Sequence, residues 1–260
     1  MTVNSSMPDL SPLTYLFLGA AGFLAGFVDS IAGGGGIITI PALLTAGLPP
    51  HLALGTNKLQ SSFGSLTASL HYRSQHLVSI RETLDGVLFT AAGAAIGTVG
   101  IQRLSPVFLE RALPLLLLAV FVYLLFSPRV GAESQRARLG RRTFYALFGL
   151  SIGFYDGFFG PGTGSFWALA FVALLGLDLK RATAHTKVMN FTSNVVSLTV
   201  FALGGNVVLL PGLAMGAGEA LGAYCGSKLV IARGVRFVRV FFMVVVAATL
   251  AHVIWRTYFS

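Results

Sequence analysis

The chain has 260 residues, 55% of them hydrophobic and 10% charged, with a formal net charge of +9; an ordinary soluble domain carries roughly 25% charged residues. Its mean hydropathy of +0.79 is too high for a soluble globule and opposite to that of a disordered chain. A lone cysteine, Cys225, excludes a disulfide scaffold, and arginines set beside apolar runs argue against nucleic acid as a partner. What fits is an all-α polytopic membrane protein in contact with the lipid bilayer.

Residues 1–12 form a polar tail. No Lys or Arg precedes Lys58, and the first apolar run leads into further runs, so a secretory signal is not expected. Five stretches have the length and apolarity of spans: 13–32, 84–101, 107–126, 144–159 and 240–258. Stretches 52–70 and 182–203 are apolar but carry hydroxyls and amides, and 207–229 encloses Glu219. The runs 37–48 and 166–177 are short. Twelve helical residues reach only about 18 Å, too little for a ~30 Å hydrocarbon core. Each short run follows a glycine cluster and reads as a half-helix after a break. Residues 127–142 hold Arg129, Arg136, Arg138, Arg141 and Arg142 against Glu133, the mark of a cytoplasmic loop.

That loop separates two similar halves. Gly26, Phe27 and Asp29 align with Gly153, Phe154 and Asp156, and Gly33 and Gly35 with Gly160 and Gly162. Gly55-Thr-Asn-Lys58 aligns with Ala184-His-Thr-Lys187. Parallel four-span repeats would put the central arginines and the Lys228–Arg239 cluster on opposite sides, against the positive-inside rule. Repeats with an odd number of crossings place Arg73, Arg81, Lys180, Arg181 and both clusters inside, leaving Arg103, Arg111 and Arg256 outside. Odd crossings make the repeats inverted. The expected architecture is two inverted repeats of about five helical segments, residues 13–127 and 143–260, joined by a basic cytoplasmic linker at 128–142. It has ten segments, two of them short, with both termini periplasmic; eight segments is the alternative count.

Charged residues inside apolar runs cost about 2.5–3.5 kcal/mol each at the bilayer centre. Asp29 and Asp156 flank the glycine breaks, either to hold the broken helices by accepting hydrogen bonds from the glycine-rich backbone or pairing with the lysines, or to act in function. Lys58 and Lys187 head polar stripes: Ser61, Ser62 and Ser65 after one, Asn190, Asn194 and Ser197 after the other. Helix N-termini at the breaks expose unpaired N–H groups and attract anions. Half-helix N-termini meet anionic substrates near the midplane of inverted-repeat carriers. The expected ligand is therefore a small anion. Its expected donors are N–H groups around Gly34, Gly35, Gly36, Ile37, Gly162, Thr163, Gly164 and Ser165, with side chains of Asn57, Lys58, Ser61, Thr186, Lys187, Asn190 and Asn194. Asp29, Asp156, His185 and Glu219 are expected to balance charge or carry a proton. The sequence 160–164 lacks the Gly-Lys-Ser/Thr ending of a P-loop, and no metal or cofactor is implied. A passive channel and an intramembrane enzyme built on Ser165 are the alternatives. No His or Asp follows Ser165 at a supporting spacing, and a serine at a helix start is usually a cap.

The two signatures, Gly26-Phe-Val-Asp-Ser-Ile-Ala-Gly-Gly-Gly-Gly36 with Gly55-Thr-Asn-Lys58, and Gly153-Phe-Tyr-Asp-Gly-Phe-Phe-Gly-Pro-Gly-Thr-Gly164 with Ala184-His-Thr-Lys187-Val-Met-Asn190, resemble the TauE/SafE family of bacterial inner-membrane transporters. The resemblance spans residues 13–258 and implies multi-pass insertion and transport of sulfur-containing anions: sulfite, thiosulfate, or sulfonates such as sulfoacetate. Without an ATP-binding motif, transport should be secondary. Glycine-rich stretches 91–100 and 212–226 offer small-residue faces for packing, within the chain or between two protomers of a homodimer. The inverted arrangement is checked by single cysteines at Arg138 and Arg236 in a Cys225→Ala background: both should label from the cytoplasm, and labelling from opposite faces would refute it.

Overall fold

The computed structural model describes residues 10–126 and 136–233, and Trp255. The polar tail up to residue 9, most of the basic linker, Arg236 and, apart from Trp255, the last apolar run lie outside the described residues. Among the described residues the chain is helical, without a strand. The elements are α1 (Pro12–Ala32), α2 (Gly36–Thr45), α3 (Pro50–Ser74), α4 (Ile80–Gln102), α5 (Pro106–Phe126), α6 (residues 141–158), α7 (Thr163–Leu175), α8 (Leu179–Leu203) and α9 (Leu209–Arg233).

Local chemistry sets the boundaries that matter. Ser11 Oγ accepts from the Thr14 N–H at 3.2 Å, and Pro12 occupies the first turn, where its missing N–H costs nothing. α1 stops at Gly33, whose φ of 69° suits glycine. The ten residues of α2 reach about 15 Å. Gly162, with φ of 81°, sets off α7, thirteen residues long and also short of a bilayer's thickness. Both short helices begin earlier than the apolar runs suggest, at Gly36 and Thr163, because their first turns belong to the glycine breaks. α6 is not one regular α-helix: Arg141–Phe144 and Leu150–Phe158 are joined by a π turn, Tyr145–Gly149. The turn lies where the Phe89 side chain packs against Gly149.

Two glycine seams organise the packing, α1 against α9 and α4 against α6. A Cβ on Gly26 would strike the carbonyl oxygen of Glu219, and one on Gly222 that of Phe23. In the second seam Gly153 meets the Thr90 carbonyl in the same way, and Gly93 that of Leu150. Small residues let these backbones touch, the usual route to helix association where lipid removes the hydrophobic drive. The stretches 91–100 and 212–226 are thus used within the chain. α3 and α8 pack on each other, α3 also on α9 and α8 on α4, with their polar residues turned inward. α1, α4 and α5 each contain a stretch long and apolar enough to cross a membrane: Pro12–Ile31, Arg81–Gln102 and Pro106–Tyr123. Large apolar side chains such as Leu13, Leu88, Leu115 and Leu203 stand exposed around the outside.

The seams predict a contrast. Gly222→Val should destabilise the detergent-purified protein by about 1–3 kcal/mol or more, since the opposing atoms are backbone and cannot yield. Gly140→Ala, at a position with open space around it, should stay within about 0.5 kcal/mol. Thermal unfolding followed by circular dichroism reads both.

Candidate functional site

The two glycine breaks meet at the centre. A Cβ on Gly33 would overlap the Gly164 backbone, and one on Gly164 the Cα of Gly33. Ser165 Oγ donates to the Gly33 carbonyl at 3.3 Å, and Gly36 lies against Pro161. Around this crossing the two polar helices deliver their lysines, each to the opposite half of the chain. Lys58 of α3 donates to Asp156 Oδ1 at 2.6 Å and to the Asp156 carbonyl at 2.6 Å. Lys187 of α8 donates to Asp29 Oδ2 at 2.8 Å and also to the Asp29 carbonyl. Both lysines are buried, with side-chain exposures of 2% and 1%.

The remaining carboxylate oxygens are also occupied. Asp29 Oδ1 accepts from the N–H groups of Gly34 and Gly35 at 3.0 and 3.3 Å. Asp156 Oδ2 accepts from Ser193. Asn194 links the two polar stripes, with Oδ1 3.4 Å from Lys58 Nζ and Nδ2 donating to Ser65 at 3.4 Å. Thr39 and Gln60 both donate to Asn57 Oδ1, at 2.5 and 2.8 Å. Asn190 Oδ1 is buried and without a hydrogen-bond partner.

A cavity of about 30 Å³ lies among these groups. Eleven of the fifteen residues expected to bind the anion line it: Gly34, Gly35, Gly36, Asn57, Lys58, Ser61, Gly162, Thr163, Gly164, Asn190 and Asn194. Asp29, Asp156 and Gly160 line it as well. Four expected donors stand apart from the wall. The Ile37 N–H donates to the Gly34 carbonyl at 3.0 Å, Ser165 bonds across the crossing, Thr186 donates to its own helix at the Ala182 carbonyl at 2.8 Å, and Lys187 is held by Asp29. Of the residues missed by sequence reasoning, Ser193 had a signal, standing three residues beyond Asn190 on one helix face. Thr39, four residues beyond Gly35, had the same kind of signal.

His185 lies away from the cavity. Its Nδ1 is 2.9 Å from the Arg181 carbonyl and its Nε2 3.7 Å from Glu82, which also stands 3.8 Å from Arg181 and 4.0 Å from Arg141. Glu219 is buried at the α1–α9 seam. Among the described residues no group of His, Cys, Asp or Glu is arranged to hold a metal ion. Chemically, the centre is two cations and two carboxylates, balanced, with amide and hydroxyl donors opening on one small polar space.

The family model of sulfite exporter TauE/SafE matches residues 18–253. The chain belongs to the TauE/SafE family. A probable membrane transporter protein of Haemophilus influenzae is 49% identical over 222 residues, covering 84% of this chain and 86% of that protein. The probable membrane transporter protein YfcA of Escherichia coli is 41% identical over 255 residues, 98% of this chain and 95% of that protein. A third, ORF9 of Sinorhizobium, is 46% identical over 239 residues and covers 92% of each. This TauE/SafE chain is a membrane transporter, and the names of its relatives and its own apolar helices agree on a membrane location.

The ion pairs predict a non-additive double mutant. Lys58→Met alone leaves Asp156 buried without its counter-ion and should cost about 3–5 kcal/mol of stability. Adding Asp156→Asn should recover most of that loss, an interaction energy read from thermal unfolding of both single variants and the double. Independent, additive losses would show that the pair is not what holds the centre together.

Proposed function

We propose that this protein is a secondary transporter of small sulfur-containing oxyanions, such as sulfite, thiosulfate or sulfoacetate, working in the bacterial inner membrane by alternating access of two inverted repeats. The observation that carries the reading is the pair of crossed lysine–aspartate bridges around a polar cavity at the meeting point of two broken helices. A fixed cation deep in an apolar protein is costly and calls for an anion; here each lysine has a tethered one. Asp29 even occupies the N–H groups of Gly34 and Gly35, where an oxyanion is expected to bind.

On this reading the carboxylates stand in for cargo. An oxyanion entering the site takes over ammonium and N–H donors from Asp29 or Asp156, and the freed carboxylate relaxes toward the cavity. Sulfur oxyanions suit such a place: compact, rich in acceptors and with little apolar surface, they are matched by Lys, Asn, Ser, Thr and main-chain donors. The cavity has room for about one water, so binding an oxyanion requires it to widen, as in a carrier whose halves move and unlike the continuous pore of a channel. The matching contacts of the two seams support the repeat. With a negative-inside potential, an anion leaving the cell gains about 2.3 kcal/mol per charge per 100 mV, which favours export.

Purified protein in liposomes should show saturable flux of one or more of sulfite, thiosulfate, sulfoacetate and taurine. Lys187→Ala should weaken binding about tenfold or more, the loss of a charge-assisted contact of about 1.5–3 kcal/mol. Lys187→Arg should restore part of it, since a planar fork replaces a compact ammonium poorly. Wild-type transport by both Lys58→Ala and Lys187→Ala would place the site elsewhere.

A further inference from the structure

The centre is balanced without Glu219, and that residue is the largest unexplained polar feature of the fold. It is 1% exposed, and its Oε2 has no hydrogen-bond partner. The carboxyl group occupies a notch made by two glycines: a Cβ on Gly26 of α1 or on Gly64 of α3 would overlap the Glu219 side chain. Gly26 stands one helical turn before Asp29, and Gly64 one turn after the cavity-lining Ser61. Glu219 therefore lies a single turn from the ion-pair centre along two helices. The charged groups facing it are Asp29 on α1 and Lys187 on α8. On α3 the nearest titratable group towards the far end is His71, whose Nδ1 is 2.7 Å from Ser227 Oγ of α9, and Lys228 follows on α9 itself.

Several contacts of the two seams match, Gly222 on the Phe23 carbonyl with Gly93 on that of Leu150, and Gly226 on the Phe27 carbonyl with Gly97 on that of Phe154; the residue at the middle of each seam differs. Gly26 faces Glu219 as Gly153 faces Thr90. Thr90 is buried, with its hydroxyl 3.5 Å from the Met189 sulfur. A threonine fills the position in one half, and an ionisable side chain that forms no ion pair among the described residues fills it in the other. Packing alone does not call for a carboxyl group.

We propose that Glu219 is the proton-coupling residue of the transporter: it takes up one proton as α9 closes on α1 and α3 around a bound anion, and releases it when the seam opens to water. The inference rests on the anion-transport reading above. The step is a carboxylate plus a proton giving a carboxylic acid, with the proton drawn from the solution the open form faces and no other bond made or broken. An ionised, unpaired carboxylate cannot be sealed in this notch cheaply, whereas the acid can. The added proton offsets the charge of the arriving anion, so the loaded centre closes nearer to neutrality. One half alone carries the group, so one proton moves per cycle.

The test uses the full-length protein in liposomes with radiolabelled thiosulfate, whose charge stays constant around neutral pH. In the wild type the half-saturating thiosulfate concentration should fall about tenfold per pH unit toward acid, the limit for one linked proton, and an imposed pH gradient should drive accumulation. Glu219→Gln should keep thiosulfate exchange, lose the pH dependence and abolish accumulation; Thr90→Ala should keep all three. A Glu219→Gln protein with the wild-type pH dependence overturns the proposal while leaving the anion site intact. Absence of saturable wild-type flux with thiosulfate and with sulfoacetate overturns the transport reading itself. Should Glu219→Gln fail to fold, dicyclohexylcarbodiimide, which attaches to protonated carboxyl groups in apolar surroundings, serves on the unaltered protein. Adduct at Glu219 by mass spectrometry, formed faster at lower pH and with loss of transport, supports the proposal, and transport blocked without adduct at Glu219 overturns it.

Discussion

Two lysines that reach across the chain hold the centre of this protein, and each does two jobs at once. Lys58 and Lys187 bond both the carboxylate and the main-chain carbonyl of their partner aspartate. Those carbonyls belong to the last turns of α1 and α6, where a broken helix presents its negative end; the Asp29 carbonyl also accepts from the Gly33 N–H at 3.0 Å, whereas the Gly160 N–H goes to the Tyr155 carbonyl and leaves that of Asp156 to Lys58. The lysine is thus a C-terminal cap as well as a counter-ion. On the other side of each break a new helix begins with free N–H groups, and Asp29 answers those of α2. Breaking a helix inside a membrane leaves orphaned backbone groups of both signs. At the first break a cation and an anion serve both ends; at the second the lysine caps the ending helix, while Asp156 takes the Ser193 hydroxyl and no N–H of the helix that follows. The glycines allow the breaks; the charges make them tolerable.

The arrangement is symmetric in outline and unequal in detail. Asp29 is held by two backbone N–H groups where Asp156 is held by the Ser193 hydroxyl. The Asp29 side chain is 18% exposed and that of Asp156 5%. Lys58 lines the cavity and Lys187 does not. On the proposed reading an anion in that space would meet Lys58 directly and reach Lys187 only by displacing Asp29. Two related halves have room for such differences because each bridge joins one half to the other, so a change in either is felt by both.

Much of this was legible before any coordinates, for a physical reason. In a chain that is 10% charged, a lysine or aspartate inside an apolar run is expensive, and glycine clusters between short runs have few other uses. Lys58, Lys187, Asp29, Asp156 and the breaks at Gly33 and Gly160 therefore stood out, as did the family likeness they carry. Harder to see was anything set by the approach of distant segments. That Asp29 could accept from the glycine-rich backbone was legible, and Gly34 and Gly35 do donate to it; nothing in the local pattern says that Thr186, on the same helix as the cavity-lining Asn190, spends its hydroxyl on its own backbone. The π turn in α6 was equally hidden, since it arises where Phe89 of another helix presses on Gly149. His185 shows the limit in reverse: two residues from Lys187, it points to the far side of the helix and joins Glu82, Arg141 and Arg181.

A centre that is neutral by itself imposes a condition on any charged ligand. Two lysines and two aspartates sum to zero, so an anion arriving alone leaves net negative charge in a closed, water-poor space. Displacing a carboxylate from a lysine exchanges one contact for another without changing that sum. Charge can be restored only by a further cation or a proton, and the described residues place no additional lysine or arginine along the cavity wall. On the proposal above, the carboxyl of Glu219, one turn away and without a partner for its Oε2, would accept that proton. Proximity of an ionisable group to a balanced pair, more than the pair itself, is then what would tie movement of the anion to a second gradient.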